Sequence, residues 1–384
     1  MLRIAIIQGA FLPVPPLLGG AVEKMWFFLG KEFARRGHEV THISRNHEDL
    51  PDTEFVDGVC YLRVQGYKTP KSGLILKGYD LLYTLSVRKL LSADFDIVVT
   101  NTFWAPILLA AKYQQACMVD VQRMPKRQMR LYSRVARLRA NSTPVASAIR
   151  NELDSASQDK VVLIPNPLPF IPTQRIDFAN KKPIILYAGR INKEKGLDIL
   201  INAFKKTSQA YRLQIVGPWE ISAGGSGLAY LKSLKQLAEN ADIEFIDPIY
   251  DMQALNNRYI DASLFVYPSV AEQGETFGLA PLEAMAWGCV PIVSNLACFH
   301  DFIKDGENGL VFDHRAPTAI SQLAKHISIL QQDDLLRIRL AKNALNVRHS
   351  HSVTHVASLF LEEFGRISTE KKATHGKPSL SHAK

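Results

Sequence analysis

The sequence predicts an α/β protein built from two doubly wound domains facing a central cleft. Three observations carry that expectation. The 384 residues exceed one ordinary hydrophobic core and suit two domains of about 150 to 200 residues each. A strand–helix–strand order opens the first half and restarts in the second, which implies parallel pairing and sheets covered on both faces. Between the halves, IPNPLPF (residues 164–170) sets three prolines where neither a central strand nor a helix interior can run. The expected parts are a first domain over 1–170, a second over 171–345, a C-terminal helix over 346–367 that packs back toward the first domain, and a disordered tail over 368–384.

In the first half, Arg3 to Gln8 reads as a buried strand. The opening MLRIAIIQGAFLPVPP has an apolar run of only four residues, then Gly9 and three prolines, which does not fit a signal sequence. A Gly/Pro loop leads to a helical pattern from about Val22 to Arg36, ended by Gly37, and His38 to Ser44 forms the next strand. Phe95 to Thr100 is a further short apolar strand. The second half restarts with PIILYA (Pro183 to Ala188), a loop, and a helix from Gly196 to Lys206. Strands follow at Leu213–Val216, Ile243–Ile246, Leu264–Tyr267 and Val290–Val293. Residues 353–367 read as a last amphipathic helix, and the polar, basic sequence from Ser368 reads as disordered.

An apolar fraction of 47% and a charged fraction of 22% are ordinary for a globular chain. Cys60, Cys117, Cys289 and Cys298 are scattered without a CxxC pair and read as reduced core thiols, as in a reducing cytosol. No run approaches the roughly 20 apolar residues that span a bilayer. The expected location is cytoplasmic, with room for peripheral contact at the inner face of the membrane. The formal charge of +9 favours anionic partners without naming one.

The segment EQGETFGLAPLEAMAWGCVP (Glu272 to Pro291) carries the most chemistry. Pro281 suits the first turn of a helix that Gly288 closes, so the preceding residues form a loop feeding a helix N-terminus. The amides of Gly278, Leu279 and Ala280, with the helix dipole, offer an anion site. Glu275 and Glu283, eight residues apart, suit acceptance of sugar hydroxyls beside a phosphate; alternatively they simply favour a helix N-terminus electrostatically. In AGRINKEKG, Arg190 and Lys195 fall in the loop after a strand, at the edge where such sheets bind ligands. There they could neutralise a departing diphosphate, or could be solvated loop cations. Gly19-Gly20 resembles a phosphate-cradling turn but lacks GxGxxG and the Walker pattern. SAGGSG (residues 222–227) reads as a mobile loop.

These segments together resemble retaining glycosyltransferases of the GT-B fold, specifically glycosyltransferase family 4 (group 1). ETFGLAPLEAMAWG is similar to that family's E-x7-E signature and AGRINKEKG to its R-x4-K signature, while GGAVEK and RRGHEVTHIS resemble its opening. The resemblance runs from about residue 1 to 365. It implies transfer of a hexose from a UDP- or GDP-sugar, with retention, to a sugar or lipid-linked acceptor. Arg190, Lys195 and Glu275 would carry catalysis, with the two cations on the diphosphate and Glu275 on the donor sugar. Glu283 would bind the ribose, the backbone from Thr276 and Phe277 to Gly278, Leu279 and Ala280 would help hold the diphosphate, and Gly19 and Gly20 would approach it from the other domain. The base would sit near Pro248 and Ile249. Many members carry a histidine after a first-domain strand; MVDVQRMPK places Gln122 there, which can hydrogen-bond a sugar but cannot take up a proton. A front-face retaining mechanism tolerates this, because the leaving phosphate can accept the proton itself.

No cofactor beyond the nucleotide-sugar co-substrate and no metal are expected. Asp94-Phe95-Asp96 is a DxD string that merely enters a strand, and His349, His351 and His355 have no completing carboxylate or cysteine. Arg123, Lys126, Arg127, Arg130, Arg134, Arg137 and Arg139 come without an intervening acid. Arg127, Arg130, Arg134 and Arg137 follow helical spacing, as a solvated face or as a contact for an anionic membrane or phosphorylated acceptor. Nucleic acid is not an expected partner, since aromatics are not interleaved. The competing readings are a nucleotide-sugar epimerase of similar shape and a non-catalytic nucleotide-sugar-binding subunit.

Overall fold

The apolar run near the N-terminus becomes β1 (Arg3–Ile7) in a computed structural model that describes residues 1–91, 94–208 and 210–375. Its alternate residues have no polar face to show, so it lies at the centre of a sheet, paired in parallel with β2 (Glu39–Arg45) and β5 (Ile97–Thr100). The others in this sheet are β3 (Thr53–Val56), β4 (Val59–Val64), β6 (Cys117–Val121), β7 (Arg137–Ala140) and β8 (Val161–Leu163). The spatial order is β3-β4-β2-β1-β5-β6-β7-β8, and only β3 is antiparallel to its neighbour.

The helix Ala21–Arg35 covers this sheet with Met25, Trp26, Leu29 and Phe33, all buried. Trp26 and Phe33 then meet Phe360 and Phe364 of the long helix Val353–His375, at ring distances of 5.0 Å and 5.7 Å. Arg36 fastens the start of that helix, donating to the Thr354 carbonyl (2.6 Å) and the Ser358 hydroxyl (2.9 Å). Two compact units result: Met1–Phe170 with the chain from Val353 on, and Ile171–Ser352.

The C-terminal region departs from its expected form in two ways. Residues 346–367 are not one helix: Val347–Ser350 belongs to the second unit, where Arg348 donates to the Ala286 carbonyl at 2.6 Å. The helix from Val353 also runs on to His375 instead of stopping at Ile367. Arg137 binds Glu363 and Glu370, and Lys371 donates to the Phe95 carbonyl, so partners far away in sequence hold residues whose composition alone reads as disordered. Residues 376–384 of the expected tail lie outside the described residues.

The second unit holds β9 (Lys182–Ala188), β10 (Arg212–Val216), β11 (Ile243–Ile246), β12 (Ala262–Tyr267), β13 (Val290–Ser294) and β14 (Leu310–Phe312). They form one parallel sheet in the order β11-β10-β9-β12-β13-β14. The chain moves outward from β9 to β11, then returns to lay β12 on the other side of β9. Among the described residues no helix is long and apolar enough to cross a membrane.

His42 on β2 is fully buried, and burial, assisted by nearby Arg63, pushes its imidazole down to about 3. The folded His42 is therefore neutral while the unfolded one titrates near 6.5. Its contribution to stability is present above about pH 6.5 and is lost as pH falls toward 3. Denaturant titrations at pH 7 and pH 5 should differ by roughly 1 to 2 kcal/mol from this group, and His42→Phe should remove that difference.

Candidate functional site

All strands of a parallel sheet end on one edge, and a ligand crevice opens there where the strand order reverses. In the second unit that point lies between β9 and β12. The loop after β9 carries Arg190 and Lys195, and the loop after β12 carries Glu275 to Gly278, so the topology brings residues 80 positions apart to one place.

The two loops are locked together by backbone. The Glu194 carbonyl accepts from the Val270 amide (2.9 Å) and the Ser269 hydroxyl (3.2 Å). Asn192 caps the short turn Lys193–Lys195 by accepting from the Glu194 amide at 3.0 Å. Gly196 ends that turn at φ 63°, and a Cβ there would stand 2.2 Å from the Pro268 carbonyl oxygen. Only glycine permits both this conformation and this approach.

That turn places Lys195, 4% exposed, with its Nζ 2.6 Å from Oε2 of Glu275. A buried lysine requires a partner; Glu275 supplies it, and the Tyr267 ring lies 5.3 Å from the ammonium. Tyr187 stacks on Tyr267 at 5.6 Å, and its hydroxyl donates to the Arg190 carbonyl at 2.8 Å. Burial pushes both phenols up, with Glu275 adding to the effect, so they stay neutral. Arg190 is more open: it contacts Glu194 (3.2 Å) and the Gly224 carbonyl (3.2 Å). The loop 222–227, expected to be mobile, is thereby tied down. Asn192 also donates to Gly224 at 2.9 Å, and Ser226 accepts from the Lys193 amide at 3.0 Å.

Glu275 leads into the helix Leu279–Ala286, which starts at Gly278 with φ 91°. Pro281 has no N–H, so the turn's open amides are those of Leu279 and Ala280, both half-buried. Gly278 is glycine for a reason unseen in sequence: a Cβ would lie 2.4 Å from the buried Phe299 ring. Phe277 is buried against Phe302 and His351 at 5.4 Å and 6.0 Å, so its side chain anchors the loop. Thr276 is half-buried beside it. Glu283 lies one turn further along the helix than the first, and accepts from Tyr259 at 3.2 Å. Pro248 and Ile249 follow β11, half-buried, before the exposed Tyr250.

The other expected site residues belong to the first unit. Gly20, at φ 99°, caps the helix Ala21–Arg35 next to Gly19, and the Glu23 carboxylate folds back over it, 2.2 Å from where a Cβ would stand. Burial raises the Glu23 carboxyl. Gln122 is engaged within its own unit. Its amide donates to Asp120 (2.9 Å) and Asn166 (3.2 Å), and its carbonyl accepts from Asn141 (3.2 Å) and Asn166 (3.1 Å). Asp120 is the hub of that network, taking Trp26 at 2.7 Å and the fully buried Arg139 at 2.6 Å.

The basic residues do not share a helical face. Arg127 sits in a turn at φ 68°, Arg130 lies in the short turn Met129–Tyr132 with Arg134 just beyond it, and Arg137 is on β7. Arg137 is occupied by Glu363 and Glu370. Of the DxD string, Asp94 pairs with Lys112 (2.7 Å) and Asp96 accepts from the Arg3 amide (2.8 Å). Among the described residues no group of three or more His, Cys, Asp or Glu side chains is arranged to hold a metal.

Comparison with known proteins places this geometry in context. The model "Glycosyl transferases group 1" matches residues 173–347, and "Glycosyl transferase 4-like domain" matches residues 20–167. A D-inositol 3-phosphate glycosyltransferase of Nocardioides sp. is 27% identical over 209 residues, which cover 51% of this chain and 44% of that protein. The matched region thus spans about half the length of the first curated relatives. An uncharacterized glycosyltransferase of Methanocaldococcus jannaschii is 26% identical over 355 residues, 83% of this chain and 87% of its own. Sucrose-phosphate synthase of Thermosynechococcus elongatus has the same fold with a TM-score of 0.79 at 18% identity, covering 96% of this chain and 100% of its own. Anabaena HepE, in complex with UDP and glucose, matches with a TM-score of 0.68 at 18% identity, covering 95% and 100%. The architecture is GT-B.

Close packing at Gly196 is directly testable against Gly306, which has φ 72° and no atom within 4 Å of a Cβ. Gly306→Ala should cost about 1 kcal/mol of stability, and Gly196→Ala about 3 kcal/mol or more. Equal shifts in denaturant midpoint would remove the contact with Pro268 as the reason for the glycine.

Proposed function

The chain belongs to the group 1 glycosyltransferases, and from that premise we propose that it moves a hexose from a UDP- or GDP-sugar to a sugar or lipid-linked acceptor with retention at the anomeric carbon. The observation that supports it most is the Lys195–Glu275 pair, 2.6 Å apart, at the start of the helix Leu279–Ala286 and at the sheet's switch point.

Lys195 and the more open Arg190 take the two phosphates, which carry charge as they leave, and the Leu279 and Ala280 amides add neutral donors. Lys195 is held in place before any ligand arrives, so little is lost in ordering it. Glu275 accepts from the donor sugar's hydroxyls while its other contact, at 2.6 Å, holds the Lys195 ammonium in position. Glu283, oriented by the neutral Tyr259 hydroxyl, accepts from the ribose hydroxyls. The bond from the anomeric carbon to the diphosphate breaks as the acceptor oxygen bonds on the same face, and the acceptor's proton passes to the leaving phosphate oxygen. No side-chain base is required, and Gln122 serves as part of the first unit's network. Charge stabilisation comes from the two cations, so the reaction proceeds without a metal.

Each hydrogen bond from Arg190 or Lys195 to the departing diphosphate contributes roughly 1.5 to 3 kcal/mol. Arg190→Ala and Lys195→Ala should therefore lower the rate by about 10 to 100-fold or more. The assay is donor consumption across UDP-, GDP- and ADP-hexoses with EDTA present, and near wild-type turnover in both variants would remove the assigned roles. An epimerised donor would point to an epimerase, and binding without turnover in any acceptor mixture to a binding subunit.

A further inference from the structure

The helix Gly73–Leu90 is apolar on two opposite sides. Toward the sheet it buries Asp80, Tyr83, Thr84 and Val87. On the other side Leu74, Ile75, Leu82 and Leu85 are exposed, Leu74 to 83%. At 100° per residue these four fall within one sector of about 100°, centred opposite the buried side chains. A core-covering helix does not need this second stripe.

The charges around the stripe have one sign. Lys71, Lys77, Arg88 and Lys89 are exposed on or beside this helix, and residues 58–93 contain a single acid, Asp80. Asp80 is turned inward, accepting from the Phe103 and Trp104 amides at 3.0 Å and 3.1 Å. The surface continues through Phe103: the Lys77 ammonium lies 4.5 Å from its ring, and Tyr132 packs on it at 6.3 Å. Tyr132 ends the turn Met129–Tyr132, which exposes Leu131 beside Arg130, with Arg134 following. The nearby Glu152 is directed into the turn, accepting from the Arg127 and Met129 amides.

We propose that the Gly73–Leu90 helix and the Arg127–Arg134 turn form a docking surface for an anionic bilayer. Leu74, Ile75, Leu82 and Leu85 enter the acyl boundary while the flanking lysines and arginines meet lipid phosphates. Leucines ringed by cations suit a surface that is apolar below and negative above, and the two acids beside Arg130, Glu152 and Asp154, are taken up by backbone amides. A second copy of the chain would set these cations against one another. The proposal is independent of the donor chemistry and extends the basic turn into a surface whose apolar half comes from a different element.

The test is sedimentation of the full chain with phosphatidylcholine vesicles, with and without phosphatidylglycerol. Binding should require phosphatidylglycerol and fall with salt. The double variant Leu74→Ser/Ile75→Ser should bind at least about tenfold more weakly, and Lys77→Gln or Lys89→Gln about fivefold each. Melting temperatures of these exposed-site variants should match the parent, which separates lost docking from lost folding. No binding to anionic vesicles, or equal binding by the leucine variant, overturns the proposal. So does a dimer in sedimentation velocity that the leucine variant abolishes, since that result assigns the stripe to a second copy.

Discussion

In a sheet whose strands all run one way, every loop that can hold a ligand leaves from the same edge, and a reversal in strand order keeps two neighbouring loops from being covered. The second unit makes that reversal at β9 and β12, and its other site features depend on it. The strands pair in register from Ile185↔Leu264 to Leu186↔Phe265, which sets the loops beginning at Gly189 and Pro268 side by side. The Glu194 carbonyl then binds across to Ser269 and Val270. Gly196 lets the chain turn against Pro268, and Lys195 finds Glu275. Removing any one of these restraints would leave a lysine in apolar surroundings without its counter-charge.

The first unit solves a related problem with a different set of residues. Arg139 is fully buried on β7 and opposite it, on β6, lies Asp120. A buried ion pair repays its desolvation only when the remaining polar atoms are also satisfied. Here Trp26, Gln122, Asn166 and the Ile164 carbonyl complete the set. This explains why an amide serves at position 122: it donates to Asp120 and accepts from Asn141 and Asn166 at once, as an imidazole ring cannot. Arg137, two residues away on the same face of β7, is satisfied instead by Glu363 and Glu370 of the C-terminal helix.

Basic residues close together in sequence thus have three separate fates. Arg139 is core, Arg137 fastens a helix, and Arg130 and Arg134 remain at the surface beside Leu131. Helical spacing suggested one shared face because period is the only guide when partners are unknown. Strands β6 and β7 were obscured for the same reason: CMVDV and RLRA each contain charges whose neutralising partners lie elsewhere in the chain. The helix Gly73–Leu90 left no clear period, since apolar residues on two sides erase the amphipathic signal that one-sided burial produces.

The fold class is legible in local pattern, because runs such as IAII and PIILYA are short, apolar and separated by helical patterns, which leaves parallel sheets buried on both faces as the stable arrangement. So are the candidate ligand groups, since Arg190, Lys195, Glu275 and Glu283 combine local chemistry with spacing along one loop or one helix. Tertiary structure alone decided which of them meet: Lys195 with Glu275, Tyr259 with Glu283, Arg190 with the loop at Gly224. It also decided that Gly278 makes room for Phe299 and that the helix from Val353 continues past Ile367. Each of these depends on an atom many positions distant, and strand order, which brings such atoms together, is not written in any local pattern.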